Sequence, residues 1–165
     1  GTAWSRRTVS SPSPRYGCGA VYDATRNETV IFGGGSNAFG YNGETWKWNG
    51  TVWALWAGDA PSPRYSPSMT YDSNRGVTVL FGGSTNTGYH RDTWELTGTA
   101  WTLRAMEGPS PRSGHAMAYD AARGVTLLFG GHTGGANSET WEWDGTEWTR
   151  LFVSSPSARF GHASI

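Results

Sequence analysis

Residues 111–132 read P-R-S-G-H-A-M-A-Y-D-A-A-R-G-V-T-L-L-F-G-G-H, and residues 138–151 continue S-E-T-W-E-W-D-G-T-E-W-T-R-L. The rest of the chain copies this stretch. Its arginine, Arg112, recurs at Arg15, Arg64 and Arg159, at intervals of 49, 48 and 47 residues. Trp4, Trp53, Trp101 and Trp148 each stand eleven residues before one of these arginines. Gly33-Gly34, Gly82-Gly83 and Gly130-Gly131 each begin eighteen residues after one. A period near fifty is the mark of a repeat array. Only the loop between the glycine pair and Glu44, Asp92 or Glu139 changes length, holding nine, eight and seven residues. Length changes collect in exposed loops, so that loop is where copies are free to differ.

Each copy reads as four short strands, a to d. Strand a follows the arginine and is built of small residues such as Gly19, Ala20, Ser68, Ala116 and Ala118. These suit a place where several strands converge on an axis. A Tyr-Asp turn follows, with Asn27, Gly76 and Gly124 at the expected positive φ. Strand b is an apolar run (Val30-Ile31-Phe32, Val79-Leu80-Phe81, Leu127-Leu128-Phe129), which predicts burial on both faces. Strand c alternates tryptophan with Lys47, Glu95 or Glu142, and this change of sign predicts a wet side. Asn49-Gly50, Thr97-Gly98 and Asp144-Gly145 make the c–d hairpins, and strand d carries the last tryptophan. Ser/Pro connectors then cross to the next sheet, because proline cannot donate to a ladder.

Four antiparallel strands per unit, with sheets stacked on sheets, predict an all-β propeller of four-stranded blades. The units are 15–63, 64–111 and 112–158. Residues 1–14 read as the last strand of a preceding blade with its connector, and 159–165 as the first strand of a further one. Three complete blades with an orphan strand at each end should not close a ring alone. The expected completion is further blades, to six or seven, or self-association with a second chain.

P-R-x-G-H-x-x-x-Y-D, the glycine pair after an apolar strand, and T-W-x-W-[ND]-G-T-x-W together resemble kelch repeats, notably the bacterial kind. The resemblance covers nearly the whole chain. Departures are Cys18 and Pro67 where His115 and His162 stand, and Leu96 where Trp48 and Trp143 stand. It implies a propeller related to the central domain of galactose-oxidase-like copper enzymes, a fold also used by sugar epimerases. Copper oxidation of that type needs a Tyr-Cys cross-link and two histidines around one axis.

The residues themselves favour a non-catalytic binding module. Formal charge is zero and charged residues make up 16% without a run of one sign, which argues against nucleic acid and a basic membrane surface. No apolar stretch reaches 18 residues, so no membrane insertion is expected. Cys18 is the single cysteine, so no disulfide or Cys-rich metal framework forms. Compartment is not set by the sequence, with a secreted or cell-surface location favoured. The repeating tryptophans are expected to pack blade on blade, an aromatic hiding roughly 150–250 Å². His115 and His162 read as structural histidines, since a ring of ligands needs three or more. Arg64 and Arg112 are expected to pair with the acidic residues that open strand c. No catalytic, metal or cofactor site is assigned.

What differs between copies remains. In an up-down-up-down blade the b–c loop and the d–a connector emerge on one face. Phe39, Tyr41, Tyr89, His90, Arg91 and His132 lie in those loops, and Trp56 replaces Arg7, Arg104 and Leu151 after strand d. These seven are the candidate ligand-binding residues, for a protein or glycan partner.

Overall fold

A computed structural model describes residues 3, 6, 8–36 and 40–163, and every regular element in them is a strand. The first sheet is β1 (Gly19–Asp23), β2 (Glu28–Phe32), β5 (Thr45–Trp48) and β6 (Trp53–Leu55). Its b–c loop folds a small hairpin, β3 (Gly35–Ser36) on β4 (Gly40–Tyr41). The second sheet is β7 (Ser68–Asp72), β8 (Val77–Phe81), β11 (Thr93–Leu96) and β12 (Trp101–Ala105). Its loop hairpin pairs β9 (Ser84–Thr85) with β10 (Gly88–Tyr89). The third is β13 (Ala116–Asp120), β14 (Val125–Phe129), β15 (Thr140–Trp143) and β16 (Trp148–Leu151). All neighbours are antiparallel in the order a-b-c-d, so each sheet is one blade and the three form a partial propeller.

The a–b turns form because an aspartate caps its own backbone. Oδ1 of Asp23 accepts from the amides of Thr25 and Arg26, and Asp72 and Asp120 do the same one and two copies later. Asn27, Gly76 and Gly124 then take the left-handed conformation at φ 54°, 67° and 69°.

Blade 2 lies between the other two, β7 packing on β1 and on β13. Its strand b, β8, is therefore buried at every residue, whereas β2 and β14 are only partly so. The core sits between sheets. Val30, Phe32, Met69, Leu80, Leu96 and Trp101 fill the first interface. Val77, Val79, Phe81, Met117, Leu128, Trp143 and Trp148 fill the second.

The tryptophans divide into two sets. Trp101, Trp143 and Trp148 are buried, and their indole N–H groups reach back into the preceding blade. Trp101 donates to Thr45 Oγ1 at 3.0 Å, Trp148 to Thr93 Oγ1 at 2.8 Å, and Trp143 to Glu95 Oε1 at 3.1 Å. Trp46, Trp94, Trp141 and Trp53 are only half-buried. The expectation that every repeating tryptophan is buried is thus corrected: the first tryptophan of strand c stands at the blade's rim.

The charged position of strand c is also corrected. In blades 1 and 2 it faces a blade interface, not water. Glu95 is 4% exposed and takes Arg75 at 2.6 Å, Arg104 at 3.2 Å and the Trp143 indole. Lys47 pairs with Glu28, and Glu142 with Arg123. The sign is free to change because each copy brings its own counter-charge.

Of the expected first strand d, only residues 3 and 6 are described, so that expectation lies outside the described residues. Residues 159–163 hold no strand, yet Gly161 N–H donates to Gly114 O at 2.7 Å, repeating the blade-to-blade contact. Among the described residues no helix is long and apolar enough to cross a membrane.

Candidate binding face

Beneath the loop face lies a repeated ionic frame. In blade 2, Arg64 donates from Nε to Ser62 O at 3.0 Å, from Nη2 to Ser62 Oγ at 3.1 Å and from Nη1 to Gly82 O at 3.0 Å. Asp92 takes Nη1 and Nη2 at 2.6 and 2.8 Å. Arg112 holds Ser110, Gly130 and Glu139 in the same way, and Arg15 holds Ser13, Gly33 and Glu44. The expected arginine–carboxylate pairs therefore form, each within one blade. Trp46, Trp94 and Trp141 donate their indole N–H to the same carboxylates, which fixes them at the rim. Burial works to raise the carboxyl of Asp92, but the Arg64 bonds and charge hold it below its ordinary value.

The glycine pairs carry this frame from blade to blade. Gly34, Gly83 and Gly131 each donate to the carbonyl of the next blade's arginine, at 2.9, 2.8 and 2.9 Å. A Cβ on Gly33, Gly82 or Gly130 would lie 2.7, 2.6 or 2.6 Å from that carbonyl oxygen, so no side chain fits. Nearer the axis, Ser66 N–H donates to Gly17 O, Gly114 N–H to Ser66 O and Gly161 N–H to Gly114 O, at 2.7, 3.1 and 2.7 Å.

Strand-a residues line an axial cavity of about 200 Å³ that includes Cys18, Met69, His115, Met117 and His162. Cys18 stands one residue before β1. His115 packs edge-on against Phe81 of the preceding blade at 5.4 Å, as His162 does against Phe129. Burial pushes the His115 imidazole down to about 3, helped by the charges of Arg112 and His162, so the ring is neutral. Among the described residues no group of three or more His, Cys, Asp or Glu side chains is placed to hold a metal.

Above the frame, the candidate residues fall into two clusters and some strays. Tyr89 Oη lies 2.7 Å from His132 Nδ1, and the His132 ring stands 5.1 Å from Phe160, edge to face. Tyr41 lies 6.5 Å from Tyr65, which stands 5.5 Å from Tyr16. Tyr41 and Trp56 line one groove of about 480 Å³ between the b–c loop and the connector of blade 1. Arg91 pairs with the exposed Glu107 at 3.3 Å. His90 is half-buried at the position of Asn42 and Asn137, and its carbonyl accepts the Arg112 amide. Phe39 lies outside the described residues.

Tyr16, Tyr65 and Phe160 were not among the expected site residues. All three immediately follow a repeat arginine, with Ser113 at the fourth such position. Their signal is a recurring Arg-Tyr or Arg-Phe pair, in which the aromatic residue adjoins an arginine that serves packing.

Three four-stranded blades held by a Gly-Gly step and a buried arginine define a narrow architecture. Over residues 2–165 the chain matches the model of the KLHDC2/KLHL20/DRC7 kelch-repeats domain. The chain belongs to the kelch-repeat family. No curated protein matches it. Kelch-repeat domains are generally non-catalytic protein-interaction modules, and in this kelch domain the arginines and glycine pairs that repeat build the frame while a set of aromatic residues lies above it.

Proposed function

We propose that this kelch domain binds a protein partner through the face made by its b–c loops and d–a connectors. The observation that carries the reading is the aromatic surface there. Tyr16, Tyr89 and Phe160 are exposed, and they adjoin Tyr41, Tyr65 and His132. Tyrosine and phenylalanine bring large contact area at small entropic cost, and aromatic residues are enriched in protein interfaces. The ionic frame below holds their backbone, so little order is lost on binding.

A photo-crosslinking amino acid placed singly at Tyr89, Phe160, Ser73 or Thr99 tests the face. In a lysate of the source cells, the first two positions should give discrete protein adducts. The last two, on the opposite turns, should give none. Adducts confined to Ser73 and Thr99 would overturn the reading. A glycan array probed with the same protein tests the alternative partner, and saturable binding lost in Tyr89→Ala would replace protein with carbohydrate.

A further inference from the structure

The three copies of the ionic frame differ at one oxygen. In blade 2, Arg64 occupies both oxygens of Asp92. In blade 3, Glu139 Oε2 takes Arg112 and Trp141, while its Oε1 takes Arg150 Nη1 at 3.1 Å. In blade 1, Arg15 and Trp46 both donate to Glu44 Oε2, at 2.7 and 2.9 Å. Glu44 Oε1 has no cationic partner among the described residues. Its side chain is 41% exposed, against 11% for Asp92 and 21% for Glu139. The cause lies two residues after the strand-d tryptophan, where blade 3 carries Arg150 and blade 1 carries Leu55.

Glu44 lines the groove of about 480 Å³ with Tyr41, Leu55, Trp56, Pro61 and Pro63. Blade 3 shows what chemistry fits there. Arg150 lies between Glu139 and the Phe152 ring, its guanidinium carbon 5.1 Å from the ring centroid. Blade 1 keeps the carboxylate and has an aromatic, Trp56, one position earlier than Phe152, but it lacks the arginine. The Arg15 hydrogen bond holds the Glu44 carboxyl below its ordinary value, so it is charged at neutral pH. Trp56 already accepts one cation, Lys47 Nζ standing 4.8 Å from its ring centroid.

We propose that the blade 1 groove receives an arginine side chain of the partner protein, with the guanidinium on Glu44 Oε1 and the stem against Tyr41 and Trp56. This rests on the loop-face reading, since a b–c loop and a connector form the groove. Arginine is preferred over lysine because a planar guanidinium can pair with a carboxylate and stack on an aromatic ring together.

The test is an NMR titration of the Trp56 indole N–H with acetyl-Gly-Arg-Gly-amide and with its lysine and citrulline counterparts. The arginine peptide should give a saturable shift, with citrulline at least tenfold weaker and lysine between them. Leu55→Arg should abolish the shift by supplying the chain's own guanidinium, as Arg150 does. Leu55 is exposed, so this variant should keep the wild-type Tm, which is measured beside it. No shift with the arginine peptide, equal binding of citrulline, or undiminished binding by Leu55→Arg at wild-type Tm would each overturn the inference. A captured partner that binds Leu55→Arg with wild-type affinity would overturn it while leaving the loop-face reading intact. A saturating arginine peptide alongside silent loop-face crosslinkers would do the reverse.

Discussion

Arg64 and Asp92 form a two-pronged ion pair inside blade 2, at 2.6 and 2.8 Å, with the guanidinium wholly shielded from solvent. Arg64 also spends its other donors on Ser62 and Gly82, so the one side chain ties the connector, the end of strand b and the start of strand c. Removing either partner strands a buried charge, which typically costs about 3–5 kcal/mol. Asp92→Ala and Arg64→Ala should each lower unfolding stability by that order in a denaturant titration. Arg64→Lys should recover only part, because an ammonium cannot reproduce the fork.

Ser66 is expected to be improvable. It sits at φ 50°, in the step where its copies are Gly17, Gly114 and Gly161 at 61°, 61° and 68°. A non-glycine residue there costs about 1–2 kcal/mol, part of which glycine returns as unfolded-state entropy. Ser66→Gly should therefore raise stability by roughly 0.5–1 kcal/mol. Gly17→Ala should do the opposite, since a Cβ would fall 2.1 Å from the Tyr65 ring. Paired thermal melts check both.

Stability should fall in mild acid because of His115. The buried ring titrates at about 3, whereas an unfolded histidine titrates near 6.5. Between those values the unfolded chain holds a proton that the folded one lacks. The contribution is complete above about pH 6.5 and shrinks as pH falls toward 3, by up to about 1.4 kcal/mol per unit. His115→Phe should flatten the Tm slope between about pH 6.5 and 4.5. The frame carboxylates Asp92 and Glu139, held below their ordinary values, should add their loss only below about pH 4.

The repeat was legible because propeller packing demands the same residue at the same spacing. Gly33, Gly82 and Gly130 leave no room for a Cβ, and the a–b aspartates cap a fixed turn, so both recur without exception. The pairing of Arg64 with Asp92 was likewise readable, one charge of each sign per copy at the same blade end. The burial of Glu95 is not legible in the sequence, because strand alternation names a side but not what covers it. Only the neighbouring blade's Trp143 and the local Arg75 and Arg104 make that side dry. His90 differs in type from Asn42 and Asn137 but fills their place in the backbone step to the next blade, which residue identity alone does not reveal. Tyr16 and Tyr65, and likewise His132 and Phe160, come together by adjacency across blades, which spacing along the chain does not display.

The central claim is that recurring residues build the domain while the aromatic residues above them bind its partner. Its most direct test is the affinity of a captured, recombinant partner for Tyr89→Ala and Phe160→Ala, set beside Ser73→Ala and Thr99→Ala, with Tm measured for all four. The account predicts at least a tenfold loss for the first pair, no loss for the second, and Tm near wild type throughout. Equal affinities across the four variants, or a loss confined to Ser73 and Thr99, would contradict it.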